Sequence, residues 1–215
     1  MPIARRAYSE ADKLRREELI VVAAQELLAA KGYFGFSMND VVAATGLAKG
    51  TLYLYFTTKE ELCLTVYERE ALAWLGELAP VLAELPTPAA PEQIARVLAS
   101  SAAQRPLLAR LTALAPLHFE ANVSSERARK HKLLLLRALR PAGRLIEQRA
   151  GLRPDDGRVL LVRMQVIMAG LEGISRPPPV MREVYNREPE LVPVSFAAEL
   201  YALTLAVLRA MVGGV

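Results

Sequence analysis

The sequence predicts an all-α protein, and three observations support this prediction. Alanine and leucine dominate a composition that is 53% hydrophobic but only 6% aromatic, and both residues are good helix formers. Apolar residues recur with helical spacing, whereas no run has the alternation that is typical of a strand. Prolines and glycines fall between the helical stretches, where they end helices. The 215 residues are enough to bury a substantial core.

The first predicted helix extends over residues 9–31 and follows a basic arm of residues 1–8. Gly32 ends the helix, because glycine tolerates the backbone conformation at a helix terminus. The apolar face of this helix is formed by Ile20, Ala24, Leu27 and Leu28. We expect Phe34 and Phe36 to fill the space between this helix and the next segment.

Two short helical patterns lie within residues 37–62 and are separated by a glycine. Ser37 and Asp40 stand three residues apart before an apolar run, which is the spacing of a capping box. Gly46 ends this helix, and a second one is predicted from about 48 to 56. Isolated helices below about 12 residues are marginal in water, so packing must hold the second one in place.

The second short helix carries side chains that suit a DNA major groove. In a helix–turn–helix, the N-terminal residues of the second helix contact base edges. Here these are Lys49 and Thr51, while Gly50 lets the backbone approach closely. Hydroxyl and ammonium groups farther along can contact phosphate oxygens. The predicted DNA-binding set is Ser37, Lys49, Gly50, Thr51, Tyr53, Tyr55 and Lys59. Taken singly, the two tyrosines could instead be half-buried aromatic residues.

Net charge does not identify this DNA-binding segment. The chain carries a formal charge of +4, yet residues 1–62 contain eight Lys/Arg and eight Asp/Glu and are therefore neutral. Local placement matters more than the total. The basic residues near the predicted surface are Arg5, Arg6, Lys13, Arg15, Arg16, Lys49 and Lys59. An equally good interpretation of Arg15 and Arg16 is a solvated helix face paired with neighbouring glutamates.

The stretch from about Leu14 to Val66 resembles the N-terminal DNA-binding domain of the TetR family of bacterial transcriptional regulators. The matching runs are FSMNDVV at 36–42, GLAKGTLY at 46–53, YF at 55–56 and KEEL at 59–62. Ala48 departs from the family pattern where a serine-like cap is common, and Leu54 departs where an aromatic or polar residue is common. We therefore expect one missing N-cap bond and one missing DNA contact.

The resemblance implies a three-helix DNA-binding domain over residues 1–62 and a helical effector-binding and dimerisation domain over 63–215. It implies a ligand-responsive regulator, a repressor that a small molecule releases from a pseudo-palindromic operator. The alternative is an effector-independent architectural or cell-division DNA-binding protein of the same fold. An enzyme is disfavoured, because the sequence has no phosphate-binding glycine loop, metal-ligand cluster or nucleophile constellation.

Other features of the sequence indicate the cellular compartment of the protein and the chemistry that its side chains can perform. Cys63 is the single cysteine, so we expect a small core residue, with a redox switch as the less favoured alternative. The sequence shows neither the apolar core of a signal peptide nor an apolar run of about 18 residues. We expect a cytoplasmic protein without a cofactor or a membrane partner.

The remaining helices are predicted from the positions of the prolines. A long helix should begin at Lys59 and end near Leu85, and the later ones should span about 91–103, 106–121, 125–149, 154–174 and 195–212. Pro141 should kink or restart the helix in which it lies. The proline-rich residues 174–194 are expected to be an irregular loop or, alternatively, a partner-docking motif.

The last two helices are apolar on almost every side, which favours a four-helix bundle between two subunits. The predicted dimer interface is Leu161, Met164, Met168, Leu171, Leu200, Leu203 and Val207. The alternative is that both helices are intrachain core helices.

The family resemblance also implies a small-molecule pocket for a largely apolar ligand. Its plausible lining residues are Tyr67, Trp74, His118, Phe119, Met164 and Met168, although such residues also fill ordinary cores. The basic residues within 127–144 could accept an acidic ligand, or they could form a solvated helix face.

Overall fold

A computed structural model of the chain describes residues 10–213 and confirms the all-α fold, since the regular structure in this range is helical throughout. The α-helices of the described residues are α1 (Glu10–Lys31), α2 (Met38–Thr45), α3 (Lys49–Tyr55), α4 (Lys59–Ala83), α5 (Pro91–Ala103), α6 (Pro106–Leu114), α7 (Ser125–Ala150), α8 (Asp156–Ser175), α9 (Pro179–Arg187) and α10 (Phe196–Val212). The predicted basic arm, with Arg5 and Arg6, lies outside the described residues.

The chain forms two compact units, which we call the N-terminal and C-terminal units, divided between residues 66 and 67. The domain boundary that the sequence suggests, between residues 62 and 63, stays a prediction. α1 packs against α2, and α2 packs against α3. Fully buried Ile20, Leu28 and Leu52 contribute to the core of this N-terminal unit.

The capping signals of the N-terminal unit are confirmed. The Ser37 backbone N–H donates to Asp40 Oδ2 across 2.8 Å, and the Asp40 N–H donates to Ser37 Oγ. Gly46 adopts a left-handed conformation with φ of 66°, and its N–H donates to the Val42 carbonyl oxygen. Ala48 makes no side-chain cap bond to α3. The sequence therefore predicted both ends of α2 and the missing cap of α3.

The expectation for Phe34 is wrong. Phe36 is 4% exposed, as predicted, but Phe34 is 77% exposed. Phe34 is the middle residue of a 3₁₀ turn over Tyr33–Gly35, and its exposed ring lies 5.0 Å from the Tyr33 ring, centroid to centroid, in an edge-to-face arrangement. A sequence of alternating aromatic residues does not reveal such a turn.

In the C-terminal unit, α8 packs against α6, α7 and α10, and α10 also packs against α5. α7 and α8 approach closely where two glycines meet, because a Cβ atom at Gly157 would lie 2.1 Å from the Gly143 carbonyl oxygen. After α6 the chain continues through a π-helical turn (Ala115–Phe119) and a 3₁₀ turn (Glu120–Asn122). The predicted helix over 106–121 is therefore shorter than expected.

Two proline-based predictions need comment. α7 extends through Pro141 to Ala150, so the helix does not restart at this proline; the neighbouring Leu139 and Ala142 are buried. The expectation of an irregular segment over residues 174–194 is wrong. The segment predicted to be irregular contains α9, with Pro179 as its first residue. Proline suits this position, because the first N–H groups of a helix have no intrahelical partner.

The predicted dimer interface stays a prediction, and its residues differ in their exposure within one chain. Five of its seven residues are at most 8% exposed within one chain, because α8 is surrounded by three other helices. These five are Leu161, Met164, Met168, Leu171 and Leu200. In contrast, Leu203 is 41% exposed and Val207 is half-buried. The outward stripe of α8 carries Val162 and Val166 instead, which are 38% and 70% exposed.

Candidate DNA-binding surface and ligand cavity

α3 has one buried side and one side that faces solvent. Leu52 is fully buried, while Tyr53 and Leu54 are 40% and 85% exposed. Lys49 and Gly50 are exposed at the start of the helix, and Thr51 and Tyr55 are half-buried. The first turn of α3 therefore presents its predicted DNA-binding residues on a supported helix.

Gly50 is not required by the packing of the protein. Outside the adjacent residues and the backbone of its own helix, a Cβ atom at this position would meet no atom within 4 Å, and the residue does not adopt the left-handed conformation. Its lack of a side chain leaves an open backbone surface beside Lys49. This is consistent with the predicted close approach of another molecule.

Lys59 has a structural role that the sequence did not reveal. Its ammonium group donates hydrogen bonds to the carbonyl oxygens of Tyr33 and Phe36, the second across 2.7 Å. It also lies 4.2 Å and 4.5 Å from the centroids of these two rings, a cation–π geometry. An ammonium group has three N–H donors, so the predicted phosphate contact must use the remaining one.

Two further hydrogen bonds hold the turn that precedes α2. The Tyr33 hydroxyl donates to Glu60 Oε1 across 2.5 Å. Burial, and then this bond to a carboxylate, raise the pKa of Tyr33. The Ser37 hydroxyl donates to Asp40 Oδ2 across 2.6 Å, and together with Lys31 it lowers the pKa of Asp40. Ser37 is exposed, and its role in DNA binding stays a prediction.

The C-terminal unit contains a polar cluster that joins α4, α7 and the 3₁₀ turn before α7. Glu68 accepts two hydrogen bonds from the Arg127 guanidinium, across 2.7 Å and 2.9 Å, and lies 2.9 Å from His131 Nδ1. On the other side of the ring, Nε2 lies 3.5 Å from Glu120 Oε1. Glu120 accepts a 2.6 Å hydrogen bond from Lys132. The cluster thus alternates acidic and basic groups.

Glu68 is the ionised centre of this cluster. Burial alone would raise the pKa of its carboxyl group. Hydrogen bonds from His131 and Arg127 outweigh the burial and hold the pKa below the ordinary value. His131 is fully buried, and its ring lies 5.6 Å from the Tyr67 ring, centroid to centroid.

A cavity of about 220 Å³ lies beside this cluster within the C-terminal unit. Its polar lining includes Tyr67, Thr112, Glu120, Lys132 and Gln165, and the remainder is apolar. Tyr67 is hydrogen-bonded to Thr112, and burial raises the pKa of its hydroxyl. The cavity therefore combines an apolar wall with a charged end.

Of the predicted pocket residues, only Tyr67 is among those that line this cavity. Trp74 donates its indole N–H to Ser101 Oγ across 3.1 Å, and His118 is half-buried. The other three, at most 1% exposed, are Phe119, Met164 and Met168. The sequence did not predict that Glu120 and Lys132 line the cavity. Charged residues that pair between two structural elements look the same in a sequence as charged residues on a solvated helix face.

The basic residues near the start of α7 pair with carboxylates. Arg129 and Lys130 pair with Glu126, while Arg127 pairs with Glu68. A groove of about 490 Å³ runs along these side chains. The pairing favours the solvated-face interpretation over a site for an acidic ligand.

Within residues 10–213, no cluster of three or more His, Cys, Asp or Glu side chains could hold a metal ion. No helix in the same range is long and apolar enough to cross a membrane.

Comparison with known proteins identifies relatives of both units. Residues 20–66 match the family model for "Bacterial regulatory proteins, tetR family". An HTH-type transcriptional regulator from the lacX 3' region of Lactococcus lactis subsp. lactis is 40% identical over 62 residues, 29% of this chain and 32% of that protein. The fatty acid metabolism regulator protein of Bacillus subtilis (strain 168) is 29% identical over 79 residues, 37% of this chain and 40% of the regulator. The chain thus spans about a third to two-fifths of the length of these curated relatives.

Two solved structures share the fold over most of their length. The fatty acid degradation regulator FadR from Bacillus halodurans has a TM-score of 0.55 at 18% identity, covering 93% of this chain and 96% of FadR. FadR from Bacillus subtilis in complex with stearoyl-CoA has a TM-score of 0.50 at 18% identity, covering 92% and 98%. At these identities the likeness shows the fold alone.

The C-terminal unit also matches a family model. Residues 68–211 match "Tetracyclin repressor-like, C-terminal domain", which is more than half of the chain. With the N-terminal match over the helix–turn–helix, the chain belongs to the TetR family of bacterial transcriptional regulators.

Proposed function

We propose that this regulator is a homodimeric repressor that a small molecule releases from a pseudo-palindromic operator in the cytoplasm. The observation that carries the proposal is the α3 surface. Its first turn has exposed Lys49 and Gly50 and is open at Gly50, while buried Leu52 holds the helix against the core.

We assign contacts on DNA by position along α3. Lys49 and Thr51 lie on the first turn, where a recognition helix contacts base edges. Tyr53, Tyr55 and the remaining N–H of Lys59 are assigned to phosphate oxygens, which position the protein without specifying sequence. Leu54 is the most exposed apolar residue of α3, and apolar side chains contact the thymine methyl group. Leu54 would thus make an apolar contact with DNA at a position where an aromatic or polar residue is common in the family.

A second copy of the chain is proposed to cover the outward faces of α8 and α10. Exposed apolar residues on these faces are Val162, Val166, Ile174, Leu203 and Val212, and the first two also line the cavity, so the proposed interface borders it. The two helices pack together, so two copies could bury them in a four-helix bundle. A dimer contacts two half-sites about 34–36 Å apart, which a single short helix does not.

The cavity is the proposed effector site. It is smaller than the roughly 300–1,000 Å³ of pockets that bury drug-sized ligands, so we expect a small and largely apolar effector. The relative solved with stearoyl-CoA supports a ligand-responsive role for this fold. A coupling free energy of about 1–3 kcal/mol between the two sites would change the DNA affinity roughly 5–150-fold.

Footprinting of the purified protein on the DNA upstream of its own gene tests the proposal. We expect protection of two half-sites with pseudo-two-fold symmetry at moderate salt. The double variant Lys49→Gln/Thr51→Ala should lose this protection, whereas Lys130→Gln on α7 should keep it. The absence of any footprint would overturn the proposal, and dozens of equal chromosomal sites would favour the architectural alternative.

A further inference from the structure

We propose that α7 carries a second DNA-contacting surface, which binds the phosphate backbone of duplex DNA without regard to sequence. The surface consists of Arg137, Arg140 and Arg144, and we call it the arginine face. This inference goes beyond the proposed function, which assigns the DNA contacts to α3 and Lys59. It is carried by the distribution of charge along the chain and by the exposure of three arginines that pair with no other described residue.

The positive charge of the chain is concentrated in α7. This helix contains eight of the 27 Lys and Arg residues but only two of the 23 Asp and Glu residues. The rest of the chain therefore has more acidic than basic residues, and residues 1–62 are neutral. Attraction of a polyanion such as DNA depends on clustered cations. In this protein the cations are clustered in α7.

The basic residues of α7 form two groups that differ in their partners. Five of the eight bind carboxylate or carbonyl oxygens of the same unit, and these are Arg127, Arg129, Lys130, Lys132 and Arg149. The other three, Arg137, Arg140 and Arg144, are exposed and form no hydrogen bond or ion pair with another described residue. Their guanidinium groups are therefore open to an external anion.

The three arginines lie on one side of α7. Their spacing of three and then four residues places them on the same helix face, over a length of about 10 Å at the helical rise of about 1.5 Å per residue. The opposite side is buried and includes Leu139, Ala142 and Ile146. Like charges three or four residues apart disfavour a helix, so the stability of α7 does not account for this placement.

A phosphate backbone fits the chemistry of the arginine face. A guanidinium group binds phosphate oxygens through two parallel hydrogen bonds. α7 is described over its full length, and none of its large apolar side chains is exposed. A helix that lies on a membrane buries large apolar residues beside its basic ones, and a protein interface is centred on buried aromatic or apolar anchors. Duplex DNA needs neither, because phosphate contacts supply its non-specific affinity.

Fluorescence anisotropy of the full chain on a duplex of scrambled sequence, at several salt concentrations, tests the inference. Each phosphate contact contributes about 0.9 to the magnitude of the slope of log affinity against log salt. Arg137→Gln/Arg144→Gln should therefore reduce this magnitude by about two and weaken binding at least about ten-fold at low salt. Arg137→Lys/Arg144→Lys keeps both charges and should keep the parent slope. The charge of Arg140 contributes, after Arg158, to the lowered pKa of Asp155, so both variants leave Arg140 in place.

The matched control is Arg182→Gln/Arg187→Gln on α9, which removes two exposed positive charges of the same unit outside α7. This control should keep the parent slope. An unchanged slope for Arg137→Gln/Arg144→Gln, or an equal reduction in the α9 control, would overturn the inference. If circular dichroism shows that the double α7 variant is unfolded, Arg144→Gln takes its place, with an expected reduction of about one.

Vesicles of phosphatidylserine and phosphatidylcholine test a lipid surface as the alternative partner. We expect the parent to bind these vesicles more weakly than the duplex at the same salt concentration. Tighter binding to the vesicles, lost in Arg137→Gln/Arg144→Gln, would assign the arginine face to a membrane and overturn the inference.

The outcome is separable from that of the proposed function. On the footprinted operator, the α7 variant should lose affinity by the same factor as on the scrambled duplex, so discrimination between the two stays unchanged. A footprint together with equal slopes for parent and α7 variant overturns only the arginine face. The expected difference in slope without a footprint overturns the proposed repressor and leaves the arginine face standing.

Discussion

The ammonium group of Lys59 donates a hydrogen bond to the carbonyl oxygen of Phe36 across 2.7 Å. Phe36 is the residue immediately before the Ser37 cap of α2, so this bond joins the first turn of α4 to the start of the helix–turn–helix. The same ammonium binds the Tyr33 carbonyl oxygen. Lys59 therefore stabilises the segment that positions α2.

Lys59→Met should lower the free energy of unfolding by about 1–3 kcal/mol, because two carbonyl oxygens lose a charged donor. Lys49→Met is the control, since Lys49 is exposed and lies 6.0 Å from the Tyr53 ring. Urea unfolding followed by circular dichroism measures both. Equal stability of the two variants would show that the Lys59 bonds contribute nothing.

Gly157→Ala should destabilise the crossing of α7 and α8. A Cβ atom there would overlap the Gly143 carbonyl oxygen at 2.1 Å, and overpacking of this kind costs about 1–3 kcal/mol. Gly76→Ala in α4 should instead raise stability by about 0.5–1 kcal/mol, because its Cβ would meet nothing within 4 Å. Thermal unfolding compares the two variants, and a stable Gly157→Ala protein would contradict the close crossing.

Leu203→Glu should convert the dimer into a monomer, because a carboxylate would be placed in the proposed interface of α10. Leu72→Glu in α4 is a control of nearly equal exposure, 40% against 41% for Leu203, and should stay dimeric. Light scattering after size-exclusion chromatography measures the molar mass. A Leu203→Glu dimer would place the interface elsewhere.

Glu172 should make stability depend on pH. Burial raises the pKa of its carboxyl group, and Oε2 has no hydrogen-bond partner within residues 10–213. Its contribution to stability is complete below the unfolded pKa of about 4.3 and is lost as pH rises through the raised folded value. Glu172→Gln should therefore gain stability relative to the parent between pH 4 and pH 7.

Urea unfolding at several pH values measures the effect of Glu172→Gln. Glu183→Gln is the matched control, because the Glu183 side chain is 60% exposed and water already solvates it. A constant difference between Glu172→Gln and the parent across this range would contradict the raised pKa of Glu172.

Local signals in the sequence predicted the N-terminal unit well. The Ser37 and Asp40 spacing and Gly46 predicted α2 because caps depend on neighbouring residues. The contacts of Lys59 were missed, since its partners lie 23 and 26 residues away. A local sequence pattern does not show which carbonyl oxygens a lysine ammonium group will contact when they lie far away in the sequence.

The C-terminal unit was harder to predict for the same reason. The pairing of Glu68 with His131 spans 63 residues, and it depends on how helices pack. Because α8 carries apolar residues on every side, its sequence does not show which of them face the core. The structure separates buried Met164 from exposed Val166, and thereby moves the proposed interface to the outer stripe.

The central claim is that the first turn of α3 recognises a specific DNA sequence. Fluorescence anisotropy on the footprinted operator and on a scrambled duplex, at one salt concentration, tests it most directly. Lys49→Gln/Thr51→Ala should weaken operator binding by at least about 1–3 kcal/mol and bring it close to the affinity for the scrambled duplex. If the variant discriminates between the two duplexes as well as the parent does, the account of α3 is contradicted.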